Sequence, residues 1–160
     1  MKPSLAIASD HAGFRLKEEI CAYLREREIP FHDFGIHREE PADYPDQALL
    51  VAEAVARGEY RYGILICGTG VGMAVAANKI PGIRAVVCSE TFSARMARAH
   101  NDCNVLCLGG RVVGPGLALE LVAAFLETEF LGERHAHRVG KIEAIQEKYS
   151  RPAPGLRDPR

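Results

Sequence analysis

The sequence has almost no excess charge, no Cys-x-x-Cys pair and no long apolar run. It has 20 Lys and Arg against 21 Asp and Glu, so it lacks a broad basic surface for nucleic acid or an anionic membrane, although a local basic patch is compatible with this balance. The 5 cysteines are an odd number, which we interpret as free thiols in a reducing compartment. No run approaches the ~20 apolar residues that cross a bilayer, and we expect a soluble cytoplasmic protein without a signal peptide.

What is present fits a globular protein with a substantial core. The chain has 160 residues and 48% of them are hydrophobic, which excludes a disulfide-stapled mini-protein and a predominantly disordered chain. We expect one domain over residues 1–150. Residues 151–160 are rich in proline and predict a mobile tail.

Short apolar segments alternate with segments of helical periodicity along the chain. Strands are predicted at residues 5–9, 31–35, 62–67, 84–88 and 104–108. Helices are predicted at residues 14–24, 48–57, 73–79, 117–130 and 133–149, with one more running from a Ser89 cap to Ala99. This alternation predicts a five-stranded parallel sheet with helices on both faces, a Rossmann-like three-layer α/β/α sandwich.

In such folds ligands bind beyond the carboxyl ends of the strands, so polar residues expected there are the first candidates for a site. These candidates are Asp10, His11, Cys67, Thr69, His100 and Asn101. Ordinary structural roles are the alternative. Asp10 and His11 can cap the first helix, and His100 can stabilise the C-terminus of another.

A glycine-rich turn follows the third predicted strand. Gly68, Gly70 and Gly72, with Val71 among them, stand between Cys67 and a helix. Glycines in such a turn let backbone N–H groups converge on an anion, and the helix N-terminus adds positive potential. A plain tight turn is the alternative.

Two familiar phosphate-binding motifs do not fit this turn. The dinucleotide fingerprint would need glycine at Met73 and belongs at the first strand, and the P-loop would need Gly-Lys where Met73 and Ala74 stand. The position of Cys67 is more informative, because the positive potential of a helix N-terminus can lower the pKa of a neighbouring thiol and so favour the thiolate. A base next to an anion cradle suits proton abstraction beside a carbonyl, where charge develops on oxygen.

Six segments in order make the sequence similar to ribose-5-phosphate isomerase B, a family grouped with the galactose-6-phosphate and allose-6-phosphate isomerases. The segments are Ser9-Asp-His-Ala-Gly13, Cys67-Gly-Thr-Gly-Val-Gly72, Ala76-Ala-Asn-Lys79, Ala97-Arg-Ala-His-Asn-Asp102, Gly109-Gly-Arg111 and Arg134-His-x-x-Arg138-Val. The likeness runs from about residue 4 to residue 149. One branch of the family has a glutamate in place of Met73 and lacks the cysteine, so this chain resembles the cysteine branch.

The resemblance implies the proton-transfer chemistry. Cys67 would be the base that moves a proton between C2 and C1 of the open-chain sugar, and the hydroxyl of Thr69 would assist. Backbone N–H groups from Gly68 to Gly72 would bind the enediolate oxygens. The hydrogen leaves and returns as a proton, so the reaction needs no redox cofactor, and we expect no metal.

The resemblance also implies how the sugar is held. His100 would open the furanose ring, Asn101 would bind a sugar oxygen and Asp10 would orient hydroxyls. Residues for the phosphate would be His11, Arg134 and Arg138, with Arg111 close by, and Tyr44 resembles another pocket residue. In the family the last helix crosses to a neighbouring subunit, which implies a homodimer or tetramer with shared active sites.

Arg134 and Arg138 are four residues apart, so they can converge on one dianion, although a solvated basic face is the alternative.

The remaining histidines and cysteines predict no further site. His135 and His137 are two apart on a helix and point to different sides, which disfavours a metal site. We interpret the other cysteines as packing residues: Cys21, Cys88, Cys103 and Cys107.

The sequence thus predicts an aldose–ketose isomerase that interconverts ribose 5-phosphate and ribulose 5-phosphate. The nearer alternative is the same chemistry on a six-carbon sugar phosphate, such as allose 6-phosphate or galactose 6-phosphate. The more distant alternative is a non-catalytic nucleotide- or flavin-binding module, or a receiver-like domain, on the same fold. A receiver would need an acidic phosphoacceptor where Cys67 stands.

Overall fold

The structure, a computed structural model, describes residues 4–150, and the tail predicted at residues 151–160 lies outside the described residues. The five predicted strands and six predicted helices are confirmed. The strands are β1 (Leu5–Ser9), β2 (Phe31–Gly35), β3 (Tyr62–Cys67), β4 (Ala85–Val87) and β5 (Val105–Gly109). The helices are α1 (Phe14–Glu26), α2 (Tyr44–Ala56), α3 (Val71–Ala77), α4 (Thr91–Asn101), α5 (Pro115–Glu127) and α6 (Glu133–Tyr149).

The strands form one parallel sheet in the order β2-β1-β3-β5-β4. Every residue of the three central strands is buried, which explains why they read as continuous apolar runs. Helices α1, α4 and α5 cover one face, and α2 and α3 cover the other. Helix α6 packs against α4. Among the described residues, no helix is long and apolar enough to span a bilayer.

Three helix starts differ from the prediction, by two residues at α3 and at α5 and by four at α2, and the cap of α4 also differs. Helix α2 begins at Tyr44 instead of Ala48, since Pro45 suits the first helical turn and extends the helix into the expected loop. The Ser89 cap is wrong. The N-cap is Glu90, whose carboxylate accepts a hydrogen bond from the Ser93 N–H at 2.8 Å, because an ionised acceptor suits the positive helix start.

The expectation that His100 and Asn101 lie at the carboxyl edge of the sheet is wrong. They form the last turn of α4, and a crossover helix runs antiparallel to its strands, so its end returns to the amino edge. Arg84, which immediately precedes β4, donates to the carbonyl of Asn101 at 3.0 Å. The two edges are separated by the length of a central strand, about 13 Å along β5.

Candidate active site

A cavity of about 530 Å³ opens at the carboxyl edge of the sheet, where β1, β3 and β5 end. We refer to it as the Cys67 cavity. The sequence-predicted site residues that line it are Asp10, His11, Tyr44, Cys67, Gly68, Thr69, Val71, Gly72 and Arg111. They meet because each follows a central strand or begins a helix at this edge.

The thiol of Cys67 is held against the glycine-rich turn. Its Sγ accepts a hydrogen bond from the Gly70 N–H at 3.1 Å, and the Thr69 hydroxyl accepts from the Val71 N–H at 3.3 Å. Gly70 has φ 80°, a left-handed conformation that favours glycine, and a Cβ there would lie 3.0 Å from the Leu108 backbone. The turn therefore packs closely against β5, which holds it beside the thiol.

Asp10 and His11 form the β1 side of the Cys67 cavity. Asp10 is buried, its N–H donates to the Ile66 carbonyl at 3.1 Å, and its carboxylate accepts from the Gly13 N–H at 3.0 Å. The N-cap of α1 is Gly13, so Asp10 closes the turn before the helix instead of capping it. Nδ1 of His11 accepts from the Ala42 N–H at 3.4 Å, which orients an otherwise exposed imidazole.

Arg111 and Tyr44 complete the walls. The Arg111 N–H donates to the Gly68 carbonyl at 3.0 Å, and its guanidinium lies so close that a Cβ on Gly68 would be 3.3 Å from Nη1. The Tyr44 ring lies over Gly72, where a Cβ would be 2.6 Å from Cε2. The Arg111 guanidinium, which is always charged, therefore lies beside the start of the glycine-rich turn, and the Tyr44 ring covers the end of the turn at Gly72.

Four further predicted site residues, His100, Asn101, Arg134 and Arg138, lie in a second group with His135, which was not predicted as a site residue. We call this group the α4–α6 cluster. The rings of His100 and His135 stack with centroids 4.2 Å apart and planes 3° apart, and Arg134 Nε donates to His135 Nε2 at 3.5 Å. Burial, together with the neighbouring His100 and the positive charges of Arg134 and Arg138, lowers the pKa of His135 and favours its neutral form.

Within residues 4–150, the predicted ring-opening and phosphate residues of the α4–α6 cluster do not line the Cys67 cavity. The four residues concerned are His100, Asn101, Arg134 and Arg138. The fold thus divides the predicted site into two halves, one at each edge of the sheet. The residues predicted to transfer the proton lie in the Cys67 cavity, and the residue predicted to open the ring lies in the α4–α6 cluster.

Sequence reasoning did not single out Val75, which also lines the Cys67 cavity. Val75 lies one turn after Val71 on α3, and their exposed fractions are 58% and 55%. Apolar residues four apart on a helix are typical of a face that packs on the core, so the sequence pattern alone does not identify Val75 as a site residue. Its exposure is seen only in the folded chain.

Residues 5–142 match the model of the Ribose/Galactose Isomerase family, and the chain belongs to that family. It is 54% identical to ribose-5-phosphate isomerase B of Escherichia coli, over 90% of this chain and 97% of the relative. It is 44% identical to D-erythrulose-4-phosphate isomerase of Pectobacterium atrosepticum, over 87% and 92% of the two chains. The structure of ribose-5-phosphate isomerase B from Clostridium thermocellum superposes with a TM-score of 0.90 at 55% identity, over 91% of this chain and 99% of that one.

Proposed function

We propose that this protein interconverts ribose 5-phosphate and ribulose 5-phosphate, a step of pentose phosphate metabolism. The observation that carries the proposal is the Cys67 thiol, which lies in an open cavity against the glycine-rich turn with Asp10, His11 and Arg111 around it. The 54% identity to the Escherichia coli isomerase supports the same chemistry. The substrate is a phosphorylated sugar.

In the proposed reaction the Cys67 thiolate removes the proton at C2 of the open-chain aldose. The C–H electron pair forms the C1–C2 double bond, and the carbonyl pair moves to O1, which gives an enediolate. Amides of the turn from Gly68 to Gly72 stabilise its negative charge, and the Thr69 hydroxyl helps to move a proton between O1 and O2. Return of the proton to C1 yields the ketose, so no electrons leave the sugar.

We further propose that a second copy of the chain supplies the α4–α6 cluster to this site through α6. In this arrangement His100 of one copy opens the furanose ring and Asn101 binds a sugar oxygen beside the other copy's Cys67. Arg134 and Arg138 join His11 and Arg111 around the phosphate, and Asp10 orients the hydroxyls. The separation of the two halves, and the exposed Val71 and Val75 beside the Cys67 cavity, support a shared site.

A dimer is the smallest assembly that satisfies this proposal, and a tetramer of two such dimers satisfies it equally. We propose that residues 1–150 act as one domain and that the protein works in the cytoplasm. Its buried free thiols, of which Cys107 and Cys21 are 0% exposed, suit a reducing compartment.

Replacement of the base tests the proposal. Cys67→Ala is expected to lower kcat for ribose 5-phosphate on the order of 10² to 10⁴-fold without unfolding the chain, because a small apolar group replaces the thiol. Cys21→Ala is the matched control, because it removes a thiol from the core outside the cavity. Near-normal turnover by Cys67→Ala, or an equal loss in both variants, would refute Cys67 as the base.

The length of the sugar needs its own measurement. The 44% identity to a D-erythrulose-4-phosphate isomerase favours testing a four-carbon substrate beside the five- and six-carbon ones. We expect the highest kcat/KM with ribose 5-phosphate. A higher value with erythrulose 4-phosphate, allose 6-phosphate or galactose 6-phosphate would reassign the substrate and leave the mechanism intact. A yellow protein without isomerase activity would instead favour a flavin-binding module.

A further inference from the structure

Two arginines hold the carboxylate of Asp102 at the end of α4. Oδ2 accepts from Arg84 Nη2 at 2.9 Å, and Oδ1 accepts from Arg98 Nη1 at 2.7 Å. Asp102 is the C-cap of α4 and has φ 46° and ψ 42°, a left-handed conformation that a side chain enters at a cost unless its surroundings hold it. Asp102 directly follows Asn101 and His100, so its backbone fixes where that last turn ends.

Arg98 connects this carboxylate to the core. Its side chain is only 3% exposed, Nη1 also donates to the Cys103 carbonyl at 2.7 Å, and Nη2 donates to the Tyr62 hydroxyl at 2.9 Å. The guanidinium lies 4.6 Å from the ring centre of Tyr62 and 5.7 Å from that of Phe125. A buried guanidinium needs a counter-charge, and Asp102 is the carboxylate that pairs with it.

Arg84 connects the same carboxylate to α6. Its Nε donates to the carbonyls of both Asn101 and Asp102 at 3.0 Å, and its Nη1 donates to Glu143 Oε1 at 3.1 Å. Glu143 lies on α6, the helix that carries Arg134 and Arg138. One arginine therefore fixes the end of α4 and joins it to the helix with the proposed phosphate ligands.

We propose that Asp102 is a positioning residue, which holds His100 and Asn101 in the geometry that opens the sugar ring. This inference rests on the proposed function, because it assigns ring opening to His100. The carboxylate binds both Arg98, whose guanidinium is buried in the core, and Arg84, which also pairs with Glu143 on α6. It therefore sets both the angle of the last α4 turn and its register against α6. A loss of either bond lets that turn rotate, and a catalytic group displaced by about 1 Å loses much of its effect.

The test separates ring opening from proton transfer. Ribose 5-phosphate is largely a furanose in solution, whereas ribulose 5-phosphate has its C5 hydroxyl esterified and remains open-chain. Turnover of ribose 5-phosphate needs both steps. Exchange of the C1 proton of ribulose 5-phosphate in deuterated water, followed by NMR, needs only proton transfer in the Cys67 cavity. The ratio of the two rates therefore reports on His100 without a contribution from overall stability.

Asp102→Asn is the informative variant. Asparagine keeps the shape and tolerates the left-handed conformation, but its amide NH₂ cannot accept from the second arginine. We expect kcat/KM for ribose 5-phosphate to fall on the order of tenfold, because ring opening is misaligned. We expect C1 exchange to change by less than about threefold, because proton transfer is unaffected.

Tyr62→Phe is the matched control, because it removes another hydrogen bond of Arg98 and leaves both bonds of Asp102 intact. We expect it to lower the melting temperature without changing the ratio of the two rates. An unchanged ratio in Asp102→Asn, or the same altered ratio in Tyr62→Phe, would overturn the positioning role.

His100→Ala distinguishes failure of this inference from failure of the proposed function. If His100→Ala lowers ribose 5-phosphate turnover more than C1 exchange and Asp102→Asn does not, only the role of Asp102 is wrong. If His100→Ala slows both rates equally, ring opening by His100 is wrong and the role of Asp102 falls with it.

Discussion

The five thiols of the chain differ in chemical environment. Burial raises the pKa of Cys21, Cys88 and Cys103 to about 11 in each case, and burial raises that of Cys107 well above its ordinary value. These thiols therefore remain protonated at neutral pH. They behave as small apolar core residues, as the sequence analysis predicts for them. Cys67 is the thiol that accepts a backbone N–H and borders the Cys67 cavity.

A residue-scale prediction follows for thiol alkylation. With limiting iodoacetamide at pH 7.5, peptide mass spectrometry is expected to find Cys67 modified at least about tenfold faster than any other cysteine. Alkylation requires the thiolate, and the raised pKa values of the other four cysteines keep them protonated. Exposure alone would favour Cys103, which is 8% exposed against 5% for Cys67. Ribose 5-phosphate is expected to protect Cys67. Faster modification of Cys103, or no protection by the sugar phosphate, would contradict this assignment.

At the scale of elements, the end of β5 packs against the glycine-rich turn. A Cβ on Gly109 would lie 2.8 Å from Cα and the carbonyl carbon of Thr69. These are backbone atoms, which cannot relieve the overlap by a change of rotamer. We predict that Gly109→Ala displaces the turn and lowers kcat on the order of tenfold to a hundredfold. Gly116→Ala on α5 is the control, since a Cβ there meets nothing within 4 Å. Equal activity in the two variants would show that the turn is not held by this contact.

An ion pair joins α1 to β2. The Lys17 side chain is fully buried and pairs with Asp33 and, at 3.0 Å, with Glu18. Burial alone would lower the pKa of Lys17, but the hydrogen bonds that its ammonium donates to both carboxylates outweigh burial and raise the pKa. Because the folded-state pKa is raised, this stabilisation is fully present at neutral pH and is lost only as the pH rises through that alkaline pKa.

Urea denaturation can measure this contribution. Lys17→Met is expected to lower the free energy of unfolding by about 2–3 kcal/mol, because Asp33 loses its buried cation. The control on the same helix is Arg15→Met, whose partner Glu39 is exposed; it is expected to cost less than about 0.5 kcal/mol. A smaller loss for Lys17→Met than for Arg15→Met would contradict the buried pair as a stabilising contact.

The elements also show which features the sequence can predict. Strand and helix order follows from local periodicity, and Cys67 and Asp10 are predicted at one site because strand ends meet at one edge. Tyr44 is predicted there only through the resemblance to the family. The predicted position of His100 at the carboxyl edge was wrong, because a helix that follows a parallel strand runs back toward the amino edge and His100 is in its last turn. The bonds of Asp102 to Arg84 were not predictable, since 18 residues separate the partners and only the folded sheet brings them together.

At the scale of the whole molecule, the separation of the Cys67 cavity from the α4–α6 cluster predicts complementation between two inactive variants. In a two-fold dimer with shared sites, each site takes Cys67 from one copy and His100 from the other. A heterodimer of Cys67→Ala and His100→Ala chains then contains one intact site and one doubly altered site. Random mixing makes half of the dimers heterodimers, so roughly a quarter of the wild-type activity is expected to return.

The measurement is ribose 5-phosphate turnover after the two variants are unfolded together and refolded as a mixture. Cys67→Ala mixed with Arg111→Ala is the control, because both residues line the same cavity of one chain and every site in that heterodimer keeps one defect. Activity must therefore return in the first mixture and not in the second. No gain in the first mixture would place His100 in the site of its own chain, or outside the site, and would exclude the shared arrangement.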